Sequence, residues 1–446
     1  MCFKSTSPED ASAHLTSKRI DAMIHEEMKR EKESVKLLLL GPGETGKSTI
    51  LKQIKLIYGA GFEAEERKFL RSAVLSNVIQ CIKTLAQNMD HLRIPFGFKW
   101  INSDAGDDSC QETSGDVPHS TPNTLNRMVD KLTPDEANST YIKESAITLE
   151  GGKVSDSSVA TLAPKNPLAL RAELEYASQG RKQNRSKISN AAKLVKRNVV
   201  MLLTSDGFVL DEEYIKAVKL LWSDPGIQYC FSRSSEYQLL DCCAYYLNEI
   251  DRIGQPDYVP TDQDILFARI TTSTITETKV YIDNILFKIF DVGGQRSERK
   301  RWAPYFDNVK AIVYVAAISA YDQTCMEDNK TNRITEAVTL FDSIVNHPIF
   351  KSTPILLFLN KIDMFKKKVD KVPISNYFPK FEGANESSAG KEYFARLFLS
   401  RNKYQERRVY VHFTWATDTK QIRRVLETVY QIILKQNLGI AGISLE

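Results

Sequence analysis

Residues 35–48 of the chain read VKLLLLGPGETGKS, and this stretch decides the fold. The apolar run Val35–Leu40 has the length and composition of a buried strand. The turn after it has the spacing G-x-x-x-x-G-K-S and opens a helical pattern that extends to about Tyr58. Glycines let backbone N–H groups surround phosphate oxygens, and the start of a helix adds positive potential. We therefore predict a phosphate-binding loop, in which Lys47 reaches the β- and γ-phosphates and Ser48 binds Mg²⁺.

Composition excludes several classes of protein. The chain has 446 residues and a formal net charge of +4, which is too small to indicate nucleic-acid binding. Its longest apolar runs, Ala311–Ile318 and Ile355–Leu359, are far shorter than the roughly 18 residues of a membrane span. There is no signal-peptide pattern, and the seven cysteines form no CxxC pair. A soluble globular protein of a reducing, intracellular compartment is expected.

The rest of the chain predicts an α/β fold interrupted by helices. Apolar runs after residue 281 alternate with helical patterns, which is typical of a mostly parallel, doubly wound sheet. The predicted strands are 285–290, 311–318, 354–359 and 409–413, followed by a last helix over 419–435 that Asp418 caps. Helical patterns over 62–92, 191–203, 211–222 and 235–253 predict a helical domain inserted after the first strand and helix.

These patterns give a domain organisation. Residues 1–33 are predicted as an N-terminal helix, 34–60 and 262–446 as the α/β domain, and 61–261 as the helical domain. Within the last, a low-complexity insertion is expected at about 101–190, because Ser, Thr, Pro, Gly, Asn and Asp supply 35 of the residues 101–165. The insertion is either a passive loop or a carrier of regulatory sites, and the sequence leaves both open.

Two further motifs follow predicted strands. Residues 291–295 read DVGGQ, in which Asp291 can hold Mg²⁺ through water, Gly294 can approach a γ-phosphate, and Gln295 can orient an attacking water. Residues 360–363 read NKID, and the Asp363 carboxylate can accept hydrogen bonds from guanine N1–H and its 2-amino group. Adenine lacks both donors, so this motif predicts guanine rather than adenine.

Two loops add candidate residues. In residues 414–417, TWAT, the backbone N–H of Ala416 can donate to guanine O6. In residues 269–272, RITT, Arg269 can neutralise charge on a transferring phosphoryl group, and Thr272 can complete a Mg²⁺ shell.

Together these motifs resemble those of the α subunits of heterotrimeric G proteins. The resemblance covers nearly the whole chain outside about 101–190. It rests on 36–50, 234–239, 244–247, 291–302, 358–363 and 413–419. It implies a Ras-like GTPase domain with an inserted all-helical domain, in which GTP and GDP exchange operates a switch. The long insertion suggests a fungal member.

The resemblance also implies roles for individual residues. Arg269 and Gln295 would be the catalytic pair, and Ser48 and Thr272 would bind Mg²⁺, with Asp291 behind a water. The nucleotide would contact Gly43, Glu44, Thr45, Gly46, Lys47, Ser48, Thr49, Asp241, Gly294, Asn360, Lys361, Asp363 and Ala416. Glu44 is expected to face Arg269 and to help retain the nucleotide.

The implied partners are a βγ dimer, a G-protein-coupled receptor that contacts the C-terminal tail, and an effector that the sequence does not identify. The implied location is the cytoplasmic face of the plasma membrane. Cys2 stands where N-myristoylation requires glycine, so palmitoylation of Cys2 is the candidate modification. Thr274 and Trp415 replace the family's usual glycine and cysteine, which puts GTPase-accelerating regulators and nucleotide off-rate in question.

Two other functions compete with a GTPase switch. One is a scaffold that binds nucleotide with little or no turnover, although Lys47, Ser48, Arg269, Thr272 and Gln295 are all present. The other is a P-loop kinase or ATPase, which the guanine motif disfavours.

Overall fold

The computed structural model describes residues 17–25, 34–97, 178–197, 202–204, 207–272, 274–404 and 406–440. The described residues form two compact units, one up to Arg67 and from Thr261 onwards, the other within Lys68–Pro260. None of the described helices combines the length and the apolar character that a bilayer-spanning segment needs.

The first unit is built on a six-stranded sheet. Its strands are β1 (Val35–Leu40), β4 (Thr276–Ile282), β5 (Ile285–Asp291), β6 (Ala311–Ala317), β7 (Ile355–Asn360) and β8 (Val409–Thr414). Its helices are α1 (Lys47–Tyr58), α8 (Asp262–Phe267), α9 (Arg333–Val345), α10 (Ile362–Val369), α11 (Ser387–Leu399) and α12 (Thr419–Ile440). The strand order is β4-β5-β1-β6-β7-β8, and all neighbours are parallel except β4 and β5.

Both faces of this sheet are covered, which explains why β1, β6 and β7 are almost entirely apolar. Leu38 and Leu40 face one core with residues of α9, α10 and α11. Leu37 and Leu39 face the other core with residues of α1 and α12. The predicted α/β class with a mostly parallel sheet is confirmed.

The second unit contains α2 (Ala64–His91) from residue 68 onwards, α3 (Ser178–Lys196), β2 (Leu202–Thr204), β3 (Gly207–Val209), α4 (Glu212–Trp222), α5 (Pro225–Ser232), α6 (Cys243–Asn248) and α7 (Ile250–Ile253). Strands β2 and β3 pair antiparallel. The predicted helix over 191–203 was therefore wrong at its end. The dipeptide Asp206-Gly207 stands between two apolar runs in the sequence, and this hairpin signal outweighs the helical spacing.

Two more predictions for this unit were wrong in part. The insertion was expected to reach about residue 190, but α3 begins at Ser178, and its stripe Ile188, Ala191, Ala192 and Val195 is buried. Most residues of α3 are polar, so the average hydropathy of this stretch concealed its apolar stripe. The predicted helix over 235–253 is interrupted, because Tyr237 is extended and the next helix begins only at Cys243.

The outer strand β4 was not predicted at all. It lies at the sheet edge, and exposed polar residues such as Thr276 and Glu277 weaken its apolar signal. The last helix is longer than predicted, and Asp418 caps it by accepting from the Gln421 N–H at 3.0 Å. Residues 17–25 are helical, while the rest of the predicted N-terminal helix and the predicted insertion over 101–177 lie outside the described residues.

Candidate nucleotide-binding site

The loop between β1 and α1 has a backbone that only glycine allows at two positions. Gly41 has φ +142°, and a Cβ there would lie 2.2 Å from the Val315 carbonyl oxygen. Gly46 has φ +98°, and a Cβ there would lie 2.3 Å from Asn360 Nδ2. The loop therefore packs closely against the carboxyl ends of β6 and β7, the edge at which α/β sheets bind ligands.

The first residue of α1, Lys47, is buried inside this loop. Its Nζ donates to the carbonyl oxygens of Gly41 at 3.0 Å and Pro42 at 2.8 Å. Burial lowers the pKa of Lys47 to about 8, and Asp291 opposes the shift. A buried ammonium that has only carbonyl acceptors within hydrogen-bond distance is suited to a more strongly anionic partner.

Three oxygen-bearing side chains converge beside Lys47. Ser48 Oγ donates to Asp291 Oδ2 at 2.7 Å and lies 2.9 Å from Thr272 Oγ1. The other carboxylate oxygen, Asp291 Oδ1, is buried and has no hydrogen-bond partner in the described part of the chain. Burial raises the pKa of Asp291, and Lys47 opposes the shift. An unpartnered buried carboxylate oxygen next to two hydroxyls fits a hydrated Mg²⁺.

The segment after β5 packs onto the same loop. A Cβ at Gly294 would lie 2.4 Å from Lys47 Nζ and 2.5 Å from the Pro42 carbonyl oxygen, so only glycine permits this approach. Trp302 Nε1 donates to the Gly293 carbonyl oxygen at 2.9 Å and anchors the segment. Gln295 reaches the loop as well, since a Cβ built on Gly43 would be 3.6 Å from its Cγ.

Glu44 lies between two arginines. One carboxylate oxygen pairs with Arg269, as the sequence analysis expected, and the other pairs with Arg333 at 2.6 Å. Glu44 itself has φ +63°, an uncommon conformation for a residue with a side chain. The ion pairs hold the Arg269 guanidinium against the phosphate loop.

The NKID and TWAT motifs meet at the far end of the loop. Asn360 Nδ2 donates to the Thr45 carbonyl oxygen at 2.8 Å, and Asn360 Oδ1 accepts from the Ala416 N–H at 3.1 Å. Lys361, with φ +63°, donates from Nζ to the Glu44 carbonyl oxygen at 2.5 Å. Burial raises the pKa of Asp363. Asn360 thus ties the phosphate loop to the loop after β8.

Comparison with known proteins agrees with this geometry. The family model described as "G-protein alpha subunit" matches residues 14–433. The chain belongs to the G-protein alpha subunit family. It is 36% identical over 437 residues to the G-protein complex alpha subunit gpaA of Aspergillus fumigatus, covering 98% of each chain. It is 34% identical over 442 residues to the guanine nucleotide-binding protein alpha-1 subunit of Neurospora crassa, covering 99% of each. A guanine nucleotide-binding protein alpha subunit of Cryphonectria parasitica is 35% identical over 442 residues, again covering 99% of each.

Most of the predicted site residues of this alpha subunit lie together in the first unit. Thr45 is buried, Thr49 is half-buried in the first turn of α1, and Arg269 lies against the phosphate loop. Asp241 lies in the second unit, in an exposed turn before α6. Cys2 lies outside the described residues. The individual roles of all of these residues stay predictions.

Three contacts of this alpha subunit are not predictable from its motifs. Arg333 is the second partner of Glu44. Gln53 donates to the Ala416 carbonyl oxygen at 2.9 Å, and Asn360 Oδ1 accepts from the Ala416 N–H. The contact between the Ala416 N–H and Asn360 affects the predicted role of Ala416. Because this N–H already donates to Asn360, it must be shared or released before it can donate to guanine O6.

Proposed function

We propose that this alpha subunit is a Mg²⁺-dependent GTPase switch. The observation that supports the proposal best is the cluster of Ser48, Thr272 and Asp291 beside the buried Lys47. It combines hard oxygen ligands with an ammonium at the start of a helix, the combination that a nucleoside triphosphate and its metal require.

Each residue of the cluster has a proposed task. Lys47 gives up its carbonyl acceptors for phosphate oxygens, and the N–H groups of residues 43–49 surround those oxygens. Ser48 and Thr272 would hold Mg²⁺, and Asp291 would assist through water. The bound metal would supply positive charge that offsets the charge of the phosphates.

Hydrolysis is assigned to two residues that approach this loop from different segments. Gln295 accepts from and donates to the attacking water, orienting it in line with the phosphoryl group. Arg269, positioned by Glu44, stabilises the charge that grows on the leaving oxygen. Asp363, Asn360, Lys361 and Ala416 read the base.

The finer biology is also proposed from family membership. GDP-bound protein binds a βγ dimer, and a receptor that contacts the tail 439–446 releases the GDP. Segments 269–278 and 291–302 are the switches that the γ-phosphate orders. The Ras-like domain carries an inserted helical domain that contributes Asp241. The protein acts at the cytoplasmic face of the plasma membrane, with Cys2 as its acylation candidate.

Single-turnover hydrolysis tests the proposal. Purified protein loaded with GTP should release phosphate when Mg²⁺ is added and should stop when the metal is chelated. Excess ATP should not displace the bound GTP. Tight GTP binding without turnover would instead indicate a nucleotide-binding scaffold, and displacement by ATP would contradict the guanine assignment.

Lys47 gives a pH-dependent prediction. With a pKa of about 8, Lys47 is about half neutral at pH 8 in the free chain and takes up a proton when a phosphate binds it. We expect Lys47 to absorb about half a proton per GDP at pH 8 and little at pH 6.5, where Lys47 is already charged and the GDP phosphate instead releases protons on binding. Calorimetric titration in two buffers of different ionisation enthalpy measures this uptake. Equal uptake at both pH values would contradict the prediction.

A further inference from the structure

A basic surface lies at the amino ends of the parallel strands, whereas the nucleotide site lies at their carboxyl ends. We define the basic rim as the described residues 346–353, 399–404 and 406–408, in the segments that precede β7 and β8. Because β1, β7 and β8 are parallel, their amino ends meet at this end of the sheet, and the phosphate loop and NKID motif lie at the other. A partner that binds the rim therefore leaves the nucleotide site free.

The two segments of the basic rim form one surface. Asn346 Nδ2 donates to the Arg401 carbonyl oxygen at 2.9 Å, and Asn346 Oδ1 accepts from the Lys403 N–H at 3.1 Å. The buried Arg407 donates to the Phe350 carbonyl oxygen at 3.0 Å. These bonds fix the backbone of both segments, so their outward side chains are presented together.

Charge on the rim is strongly one-sided. The segments carry five cationic side chains and one carboxylate, Glu406, so their formal excess equals the +4 of the whole chain. Lys351, Arg401, Lys403 and Arg408 are exposed. Their side chains form no salt bridge or side-chain hydrogen bond with any residue that the structure describes. They are available to an outside anion.

Helix ends do not account for this charge. Helices α9 and α11 end at the rim, and a cation in the last turn of a helix is stabilised by its dipole. The four exposed cations instead lie beyond Val345 and Leu399, in the segments after the helices. The dipole effect falls off within the last turn, so it gives no reason for Lys351 and Arg408, which lie six and nine residues beyond those helix ends.

Two exposed aliphatic side chains lie among these cations. Ile349 is 44% exposed and Leu399 is 38% exposed. Cations combined with exposed aliphatic groups suit the boundary between lipid headgroups and acyl chains, where both are stabilised. An acidic protein surface would match the charge alone.

We propose that the basic rim binds an anionic lipid bilayer and is the second membrane signal of this protein. A single acyl chain on Cys2 would anchor the protein only marginally, whereas one chain with a basic patch is sufficient for stable attachment. The amino end of β1, the first strand of this unit, lies at the same end of the sheet, with β6 between β1 and β7. The inference rests on the proposed membrane location but not on GTP hydrolysis.

Vesicle binding tests the proposal on full-length, GDP-loaded protein produced without acylation. Wild-type protein should cosediment with phosphatidylserine-containing vesicles and much less with pure phosphatidylcholine vesicles. The triple variant Lys351→Gln/Arg401→Gln/Lys403→Gln should lose about tenfold or more of its partition onto the anionic vesicles. Added salt should weaken the wild-type binding in the same direction.

The matched control removes the same charge outside the rim. Lys366→Gln/Lys371→Gln/Lys380→Gln changes three exposed lysines and should keep most of the binding. Thermal unfolding of both triple variants checks that they fold, and their GTP hydrolysis is measured separately. Wild-type protein that ignores anionic vesicles, or equal losses in both variants, would overturn the proposal. Loss of vesicle binding by the rim variant, with its GTP hydrolysis intact, would support the proposed lipid surface. Failure of the wild-type protein to hydrolyse GTP would count only against the proposed GTPase activity.

Discussion

Replacing Arg269 by alanine should slow single-turnover GTP hydrolysis about a thousandfold. That is the lower end of the range known for arginines that stabilise phosphoryl transfer in G proteins. In the proposed mechanism the guanidinium stabilises charge that is larger in the transition state than in bound GTP, so its loss should slow the reaction more than it weakens binding. The ion pair with Glu44 holds Arg269 against the phosphate loop, where the proposed role requires it. Phosphate release after addition of Mg²⁺ measures the rate.

Three comparisons separate this role from a structural one. Arg269→Lys keeps the charge but loses the planar fork, and we expect an intermediate rate. Gln295→Leu should also nearly abolish hydrolysis with GTP binding retained, because the water is no longer oriented. Arg396→Ala removes an exposed arginine that pairs with Glu392, outside the proposed site and switches, and should hydrolyse GTP normally. An Arg269→Ala protein that turns over like wild type, or one that no longer binds GTP, would contradict the assignment.

The sequence predicted the central sheet well because its strands are buried on both faces. The strands containing Leu38, Ile312 and Leu357 are continuous apolar runs, and their bounds are correct to within a residue. Strand β4 was missed because it lies at the edge, where exposed polar residues are tolerated. Burial on both sides, rather than strand propensity, made β1, β6 and β7 recognisable.

The candidate site was predictable for a related reason. Every motif except RITT comes at the carboxyl end of a parallel strand, so residues far apart in sequence, such as Ser48 and Asp291, had to meet at one end of the sheet. The contacts that the sequence could not indicate are those between loops. Arg333 and Glu44 are 289 residues apart, and neither belongs to a motif that predicts the other. The NKID motif predicts Asn360 as a base-contacting residue, but Asn360 also links the phosphate loop to the loop after β8 through hydrogen bonds.

The second large effect is expected from a substitution of Asp363, the residue proposed to bind the guanine base. Asp363→Asn should lower GTP affinity about a hundredfold or more, because one of two hydrogen bonds to a carboxylate is lost and a donor then faces the 2-amino group. The same variant should gain affinity for xanthosine triphosphate. Its base offers an N1–H donor and a C2 carbonyl acceptor, which match the oxygen and the nitrogen of an asparagine amide.

Equilibrium binding of both nucleotides measures this exchange of specificity. Asp370→Asn is the matched control, since Asp370 is exposed directly after α10, and it should leave both affinities unchanged. Asp363 is the more informative position because burial raises its pKa, which means that its charge is costly unless a donor pairs with it. A guanine base supplies two such donors. If Asp363→Asn bound GTP as tightly as wild type, that carboxylate would not be reading the base, and the preference for guanine over adenine would have to come from the loop at Ala416.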